Sequence, residues 1–203
     1  MKTRFITIER EYGSGGTMIG RLLSEKTGIP CYGREILEAV SKKHSISIDR
    51  IEQYEETATS SFLYSFFALA RAQSGDPNML TAEGHVFVAE QAEIRRLAAD
   101  GSSIFLGHCA SEAIKDRNGV IRVFIRGENK DKLKRIVEDY RVPENMAEAT
   151  MKRFDKKRSN YYYANTLKHW NDFKNYDIVL NSSTLGIDGC VNVLSGLLEQ
   201  KGR

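Results

Sequence analysis

The residues best suited to chemistry lie near the N-terminus, where residues 13–17 read Gly-Ser-Gly-Gly-Thr. Glycine lets the backbone adopt positive φ and approach a ligand closely. A helix that follows such a turn presents unpaired N–H groups and the positive end of its dipole. The residue types and their spacing therefore predict an anion site, and a chain of phosphates suits it.

The stretch matches the phosphate-loop template G-x4-G-K-[ST] only in part. Gly15 stands at the second glycine, and Thr17 stands at the hydroxyl that would hold Mg²⁺. Arg10 occupies the position of the first glycine, and Gly16 occupies the position of the lysine. A tight strand-to-helix turn, with Thr17 as an ordinary N-cap, is the alternative that these residues leave open.

A phosphate site of this kind needs a strand before the turn and a helix after it. Residues 4–9 are mostly apolar or β-branched, which predicts a buried strand. After the turn, apolar residues recur at helical spacing and Gly28 follows them, which predicts a helix from about Thr17 to Thr27. The pattern of strand, glycine turn and helix is thus complete.

The rest of the chain alternates strand and helix patterns, which predicts an α/β fold with a mostly parallel five-stranded sheet covered on both faces. Since ligands bind beyond the carboxyl ends of such strands, residues 13–17, Arg34, residues 107–109 and the residues after Arg126 should converge on one cleft. The expected strands are residues 4–9, 29–32, 103–107, 121–126 and 177–181.

Several helices are expected between these strands. Residues 62–72 predict a strongly apolar helix, and residues 82–100 predict a long one with Glu90 and Glu93 facing solvent. Further helices are expected at about 129–140, 145–168 and 187–200.

Composition indicates one globular domain, because the 203 residues are 41% apolar and 28% charged. The three cysteines form no C-x-x-C pair, so reduced, mostly buried thiols are expected. A formal net charge of +3 is too small to argue for nucleic acid. No apolar stretch approaches the roughly 20 residues of a membrane span, so we expect no membrane association and a cytoplasmic location.

Positive charge is concentrated in residues 122–158, which hold twelve Lys or Arg against seven Asp or Glu. Two solvated helix faces would explain this excess. The alternative is a basic lid that closes over phosphates.

Taken together, these segments resemble the cytidylate kinase-like branch of the P-loop nucleoside monophosphate kinases. The resemblance covers nearly the whole chain and rests on the order of ITIEREYGSGGTMIG, IPCYGREIL, SIFLGHCASEAI, VFIRG with KLKRI, DKKRSNYY and YDIVLNSSTLGID. It implies a three-layer α/β/α P-loop nucleotide kinase fold in a single domain, residues 1–203. An acceptor-side helical excursion at about 34–80 and a lid at about 141–170 are implied within it.

The resemblance also implies roles for individual residues. Arg34 would bind the acceptor phosphate, and His108 would contribute to the acceptor site. Asp155 and Arg158 match the D-x-x-R of the lid helix and would touch the acceptor nucleotide and the phosphates. Arg158, Arg34 and Thr17 are the implied catalytic residues, with Thr17 also next to Mg²⁺. The implied ATP-binding residues are Gly13, Ser14, Gly15, Gly16, Thr17 and Met18.

The implied activity is phosphoryl transfer from ATP, with Mg²⁺, to a nucleoside monophosphate, CMP or dCMP being favoured. A homodimer is left open. The rival reading is a catalytically weak or inactive nucleotide-binding regulatory protein. It is motivated by three departures from the family pattern, at Gly16, at His108 with Cys109, and at Met151, each of which removes a charge.

The missing loop lysine needs a substitute if the chain is a kinase. An arginine delivered by the lid is favoured, because it would act only with both substrates bound. The candidates are Arg10, Arg21, Arg34, Arg153 and Arg158.

Overall fold

The computed structural model describes residues 4–51 and 82–199. The apolar helix predicted at 62–72, and most of the predicted excursion at 34–80, lie outside these residues. The strands are β1 (Phe5–Arg10), β2 (Cys31–Tyr32), β3 (Ser103–Leu106), β4 (Val120–Arg126) and β5 (Ile178–Asn181). The helices are α1 (Gly16–Thr27), α2 (Arg34–His44), α3 (Ala82–Asp100), α4 (Ala110–Ala113), α5 (Asn129–Glu138), α6 (Glu144–Thr166) and α7 (Ser182–Glu199).

The five strands form one parallel sheet in the order β2-β3-β1-β4-β5, as the alternating pattern predicted. The central strand, β1, is paired on both sides, with Ile8 opposite Leu106 of β3 and Val123 of β4. The carboxyl ends of β1, β3 and β4 consequently meet at one edge of the sheet. The glycine turn leaves β1 at that edge.

Apolar side chains cover both faces of the sheet and so create the three layers. On one face, Ile6 and Ile8 of β1 pack with Ile19 and Leu23 of α1 and Leu194 of α7, all of them fully buried. On the other face, a second cluster joins strand residues to α2 and α3, and its members include Phe5, Ile36, Ile94 and Phe105. Helices therefore cover the sheet on both faces and hold in place the edge at which the carboxyl ends of β1, β3 and β4 meet.

Two details differ from the sequence-based expectations. Glu90 and Glu93 of α3 are buried, at 0% and 7% exposure, although their spacing predicted solvent exposure. Each carboxylate is paired, Glu90 with the Tyr161 hydroxyl and Glu93 with Arg96. These partners offset the free-energy cost of removing a charged group from water. The last helix begins at Ser182 but has a non-helical Gly186, with φ 70 and ψ 169, so the helix predicted from residue 187 is its second segment.

The cysteines are free thiols, with Cys109 and Cys190 buried and Cys31 half-buried, as expected. Burial raises the pKa of the Cys31 thiol to about 11, so that thiol stays protonated at neutral pH. Within the described part of the chain, no helix has the length and apolar character needed to cross a membrane.

Candidate active site

Residues 11–15, here called the glycine loop, connect β1 to α1. Gly13 and Gly15 have φ of 80 and 78, in the left-handed region that favours glycine. A Cβ on Gly13 would lie 2.8 Å from the Lys132 carbonyl oxygen, and one on Gly15 would overlap the Ile187 side chain. Both positions therefore exclude side chains, for reasons of conformation and of space. The predicted turn is confirmed, and it opens into α1 at Gly16.

Gly16, at the position of the missing lysine, is closed to side chains as well. A Cβ there would lie 2.5 Å from Cβ and 2.8 Å from Cγ of Arg10. A lysine could be built at this point only by displacing Arg10 from the end of β1. The Arg10 guanidinium lies against Gly107 at the end of β3, where an added Cβ would overlap Nη1.

Thr17 and Met18 occupy the first turn of α1, and both are exposed. The Thr17 hydroxyl is thus accessible at the helix N-terminus, next to the backbone of the glycine loop. In the described residues no group of His, Cys, Asp and Glu could hold a metal by itself. This setting fits Mg²⁺, which commonly keeps waters and takes its remaining ligands from phosphates.

Helix α5 is fastened to the glycine loop by two basic side chains. Lys132 Nζ lies 2.9 Å from Glu11 Oε2, and the same oxygen accepts a hydrogen bond from the Gly127 N–H at 3.0 Å. One turn further along α5, Arg135 Nη1 donates to the Gly13 carbonyl oxygen. The Lys132 side chain is only 6% exposed, so this pair with Glu11 is part of the packed structure.

Helix α6 contacts the same loop from the other direction. Asp155 Oδ1 accepts a hydrogen bond of 2.6 Å from the Tyr12 N–H, and Arg158 Nη1 donates to the Arg10 carbonyl oxygen at 2.9 Å. The Phe154 ring stacks on the Tyr12 ring with centroids 4.5 Å apart. The two D-x-x-R residues therefore face the loop, and a surface ion pair does not describe them.

Burial changes the pKa of both Asp155 and Arg158. It raises the pKa of the Asp155 carboxyl, an effect that the Tyr12 N–H and the Arg158 charge oppose. Burial, with the neighbouring Arg10 charge, lowers the pKa of the Arg158 guanidinium to about 10. Arg158 is therefore still a cation at neutral pH.

A cavity of about 180 Å³, here called the Glu9 cavity, lies between the ends of β1 and β3 and helix α6. Glu9 is buried at its base and accepts a hydrogen bond of 3.1 Å from Trp170 Nε1. Burial raises the pKa of the Glu9 carboxyl. Its lining comprises Glu9, Arg10, Gly107, His108, Phe154, Lys157, Arg158, Tyr161 and Tyr162.

A polar network fixes the wall of this cavity at His108. The Tyr161 hydroxyl lies 2.5 Å from Glu90 Oε2, and His108 Nδ1 lies 3.5 Å from the same oxygen. Gln91 Nε2 donates to the His108 carbonyl oxygen at 2.9 Å. The backbone of His108 and Cys109 is left-handed, with φ of 55 and 50, which turns the chain sharply into α4. His108 thereby lines the cavity, and its role in acceptor binding stays a prediction.

Arg34 does not line the Glu9 cavity. Its side chain is 62% exposed, and its Nε lies 3.8 Å from Glu38 Oε1. Arg21 is likewise engaged at the surface, 2.8 Å from Glu35. The acceptor-phosphate role of Arg34 stays a prediction.

A second cavity of about 310 Å³, here called the Ser183 cavity, lies between α5 and the start of α7. Helix α5 follows β4 and helix α7 follows β5, so this cavity lies at the same edge of the sheet as the glycine loop. Arg135 borders both this cavity and the loop. The lining residues are Asp131, Lys134, Arg135, Glu138, Asp139, Ser182 and Ser183.

Sequence reasoning missed four residues that shape the site, namely Glu9, Glu90, Lys132 and Arg135. Glu9 stands at the charged end of a strand predicted to be mostly apolar, and Glu90 was predicted to face solvent. Lys132 and Arg135 are spaced three apart and so share a helix face, but nothing in their spacing tells that this face meets a loop far away in sequence. The KLKRI segment, the basic excess over 122–158 and the residues expected after Arg126 pointed to this region but not to these two side chains.

The chain is similar to known proteins both in sequence and in fold. The model of the cytidylate kinase-like family matches residues 5–184. The crystal structure of an uncharacterized protein from Eubacterium ventriosum is 24% identical, with a TM-score of 0.72 over 98% of this chain and 100% of that one. No curated protein matches the sequence.

Shikimate kinases are also structurally similar to this chain. The enzyme from Bacteroides thetaiotaomicron has a TM-score of 0.52 at 11% identity, covering 96% of this chain and 98% of its own. The enzyme from Aquifex aeolicus has a TM-score of 0.51 at 19% identity, covering 96% of each chain. The predicted three-layer P-loop kinase fold is confirmed.

Proposed function

Because the chain belongs to the cytidylate kinase-like family, we propose that it transfers the terminal phosphoryl group of ATP to a nucleoside monophosphate, with CMP or dCMP as the favoured acceptor. Family and fold support phosphoryl transfer by a P-loop kinase. The choice of ATP as donor and of a cytosine nucleotide as acceptor is our inference from the family resemblance and from the site.

One observation carries the proposal: the glycine loop lies next to two cavities at the same edge of the sheet. The Ser183 cavity, bordered by Arg135, would receive the nucleoside of ATP. The Glu9 cavity, bordered by Arg10, Lys157 and Arg158, would receive the acceptor. Phosphoryl transfer requires donor and acceptor to meet in line, and the loop between these cavities is where they would meet.

The chain's own groups would act mainly by position and charge. The backbone N–H groups of the loop and of the first turn of α1 bind phosphate oxygens, and Thr17 would hold Mg²⁺ beside them. Mg²⁺ supplies neutralisation of the charge that spreads over the transferred phosphoryl group. Arg158 adds a cation from the acceptor side. Helix α6, whose Phe154 and Tyr161 line the Glu9 cavity, would limit the access of water to the reacting atoms.

In the family pattern that this chain resembles, an arginine and an aspartate stand where this chain has His108 and Cys109. This difference bears on which acceptor base is bound. Cys109 is buried and points away from solvent, while His108 lines the cavity. The cytosine contact of the family would therefore have to come from other groups. A panel of acceptors is needed for this reason.

The test is a turnover assay with ATP, Mg²⁺ and a panel of CMP, dCMP, UMP, AMP and GMP. We expect ADP formation that depends on the acceptor, fastest with CMP or dCMP. A protein that binds ATP but transfers phosphate to none of these would support the rival reading, a nucleotide-binding regulatory protein. Fast transfer to another member of the panel would keep the kinase proposal and replace its acceptor.

A further inference from the structure

The position of the loop lysine is not merely vacant in this chain but closed. Gly16 cannot carry a side chain while Arg10 holds its place, because their Cβ atoms would be 2.5 Å apart. A kinase of this fold nevertheless needs a cation near the β- and γ-phosphates. If the proposed function holds, that cation must come from outside the loop. The inference below rests on that proposal.

Three basic residues near the loop have contacts away from the proposed donor side. Lys132 is paired with Glu11 and is 6% exposed. Arg10 extends towards Gly107, at the end of β3, and Arg158 lines the Glu9 cavity. Arg10 and Arg158 line the Glu9 cavity on the acceptor side, and Lys132 is packed between α5 and the loop. None of the three lines the Ser183 cavity on the donor side.

Arg135 is placed differently. Its guanidinium carbon lies 3.5 Å from the position that a Cβ would take on Gly15, and its Nη1 donates to the Gly13 carbonyl oxygen. A guanidinium has several N–H donors, so the bond to Gly13 leaves others for a ligand. Asp139 Oδ2 lies 3.9 Å from Arg135 Nε, which is too long for a hydrogen bond.

Arg135 also borders the proposed donor side of the site. Its side chain is 18% exposed, and it borders the Ser183 cavity, where the nucleoside of ATP would bind. The guanidinium therefore stands between that cavity and the two glycines that would hold the phosphates. A planar cation with forked donors suits two phosphate oxygens at once.

We propose that Arg135, from helix α5, supplies the positive charge that a loop lysine supplies in the phosphate-loop template. The charge then stands on a helix already fastened to the loop through Lys132 and Glu11, and it is in place before the acceptor binds. This differs from the sequence-based expectation of an arginine delivered by the lid.

The test compares Arg135→Gln and Arg135→Lys with the wild-type protein, and Lys130→Gln, an exposed change on the same helix, is the matched control. Affinities for ATP, ADP and AMP are measured by calorimetry, and turnover is measured with the best acceptor. We expect Arg135→Gln to weaken ATP binding about 10- to 100-fold, since a charge-assisted contact is lost. AMP affinity should stay within about 3-fold of wild type because AMP has no β- or γ-phosphate, and Arg135→Lys should restore part of the loss.

Two results would overturn the inference while leaving the proposed function intact. One is wild-type ATP affinity and turnover in Arg135→Gln. The other is equal loss in Arg135→Gln and Arg135→Lys, which would show that the charge is not what acts. A wild-type protein that neither binds ATP nor transfers phosphate would instead refute the proposed function. Circular dichroism checks folding, and Arg135→Met, which keeps the apolar stem, replaces Arg135→Gln should the latter not fold.

Discussion

At the scale of single residues, Gly16 gives a direct test of the packing around the loop. Gly16→Ala should destabilise the protein by about 1–3 kcal/mol, the usual cost of overpacking, because the new methyl group would lie 2.5 Å from Arg10 Cβ. Gly196→Ala in α7 is the control, since no atom lies within 4 Å of its added Cβ. Urea unfolding of both variants measures the difference. Equal stabilities would mean that Arg10 yields readily, and that a lysine could be tolerated at Gly16.

Glu9 gives a second prediction at this scale, concerning pH. Burial raises the pKa of its carboxyl, so the folded state favours the protonated form. The wild-type protein should therefore lose stability as the pH rises from the ordinary glutamate pKa through the raised one. Glu9→Gln should remove the part of this loss that Glu9 causes, because an amide does not titrate, and its oxygen can still accept from Trp170 Nε1. The raised pKa of Asp155 gives a loss of the same sign that this variant keeps.

The measurement for Glu9 is urea unfolding between about pH 4 and pH 8. Glu25→Gln, a change at an exposed glutamate of α1, is the control and should keep the wild-type slope. A Glu9→Gln variant whose stability falls with pH as steeply as wild type would show that other groups cause the loss.

The residues of the loop could be predicted from the sequence, whereas the residues that surround it could not. Strand, glycines and helix are local, so their spacing suffices. The loop is contacted by residues more than a hundred positions away, namely Lys132, Arg135 and Asp155. These side chains meet the loop only because of how helices α5 and α6 are oriented on the sheet. The burial of Glu90 was not predicted because a carboxylate is rarely buried unless it is paired. Its partner is the Tyr161 hydroxyl, and the sequence does not show that these two residues meet.

At the scale of the secondary-structure elements, α6 is the part most directly open to test. Its Arg158 bonds the Arg10 carbonyl oxygen and faces the Glu9 cavity. Arg158→Ala should lower turnover by about 10- to 150-fold, because a charge-assisted contact to the transferred group is lost. Lys156→Ala, on the exposed side of the same helix, should leave turnover unchanged.

Stability must be measured alongside, since Arg158 is also a packed residue. Its loss should cost about 1–3 kcal/mol in urea unfolding, because the Arg10 carbonyl loses its donor. If Arg158→Ala and Lys156→Ala show the same turnover, α6 does not act on the transferred group. The helix would then have a structural role alone.

Element boundaries followed the sequence wherever one local signal dominated. The helix α3 was predicted over 82–100, and strand β4 within 121–126, because apolar periodicity and glycines mark them clearly. Strand β2, predicted over 29–32, is only Cys31–Tyr32, because these are the residues that pair with β3. The kink at Gly186 follows from a positive φ that periodicity cannot show.

At the scale of the whole molecule, the strand order decides where the site lies. β1 is central, and the chain after β1 goes to one side of it through β2 and β3 and to the other through β4 and β5. The connections diverge at the carboxyl end of β1, and such a point is where open α/β sheets bind ligands. The Glu9 cavity is next to the β3 side and the Ser183 cavity is next to the β4 side, with the glycine loop between them.

This arrangement predicts that ATP with Mg²⁺ stabilises the folded molecule, because a ligand that binds only the native state adds its binding free energy to that of folding. At about 100 times its Kd, ATP should add about 2.7 kcal/mol, which for a chain of this size corresponds to a rise in Tm of about 5–10 °C. AMP should raise Tm less, since the glycine loop would hold the β- and γ-phosphates. Differential scanning fluorimetry at millimolar nucleotide measures both.

The matched variant for this prediction is Gly15→Ala, in which a methyl group would overlap Ile187 and a non-glycine residue would be forced to a φ of 78. Its own Tm should be lower than that of wild type, and its response to ATP should be largely lost. Gly196→Ala should respond as wild type does. An equal ATP response in Gly15→Ala would place the nucleotide away from the glycine loop. A wild-type response without turnover on any monophosphate would favour the regulatory protein over the kinase, since ATP binding needs the glycine loop and Arg135 whereas transfer also needs Arg158 and a bound acceptor.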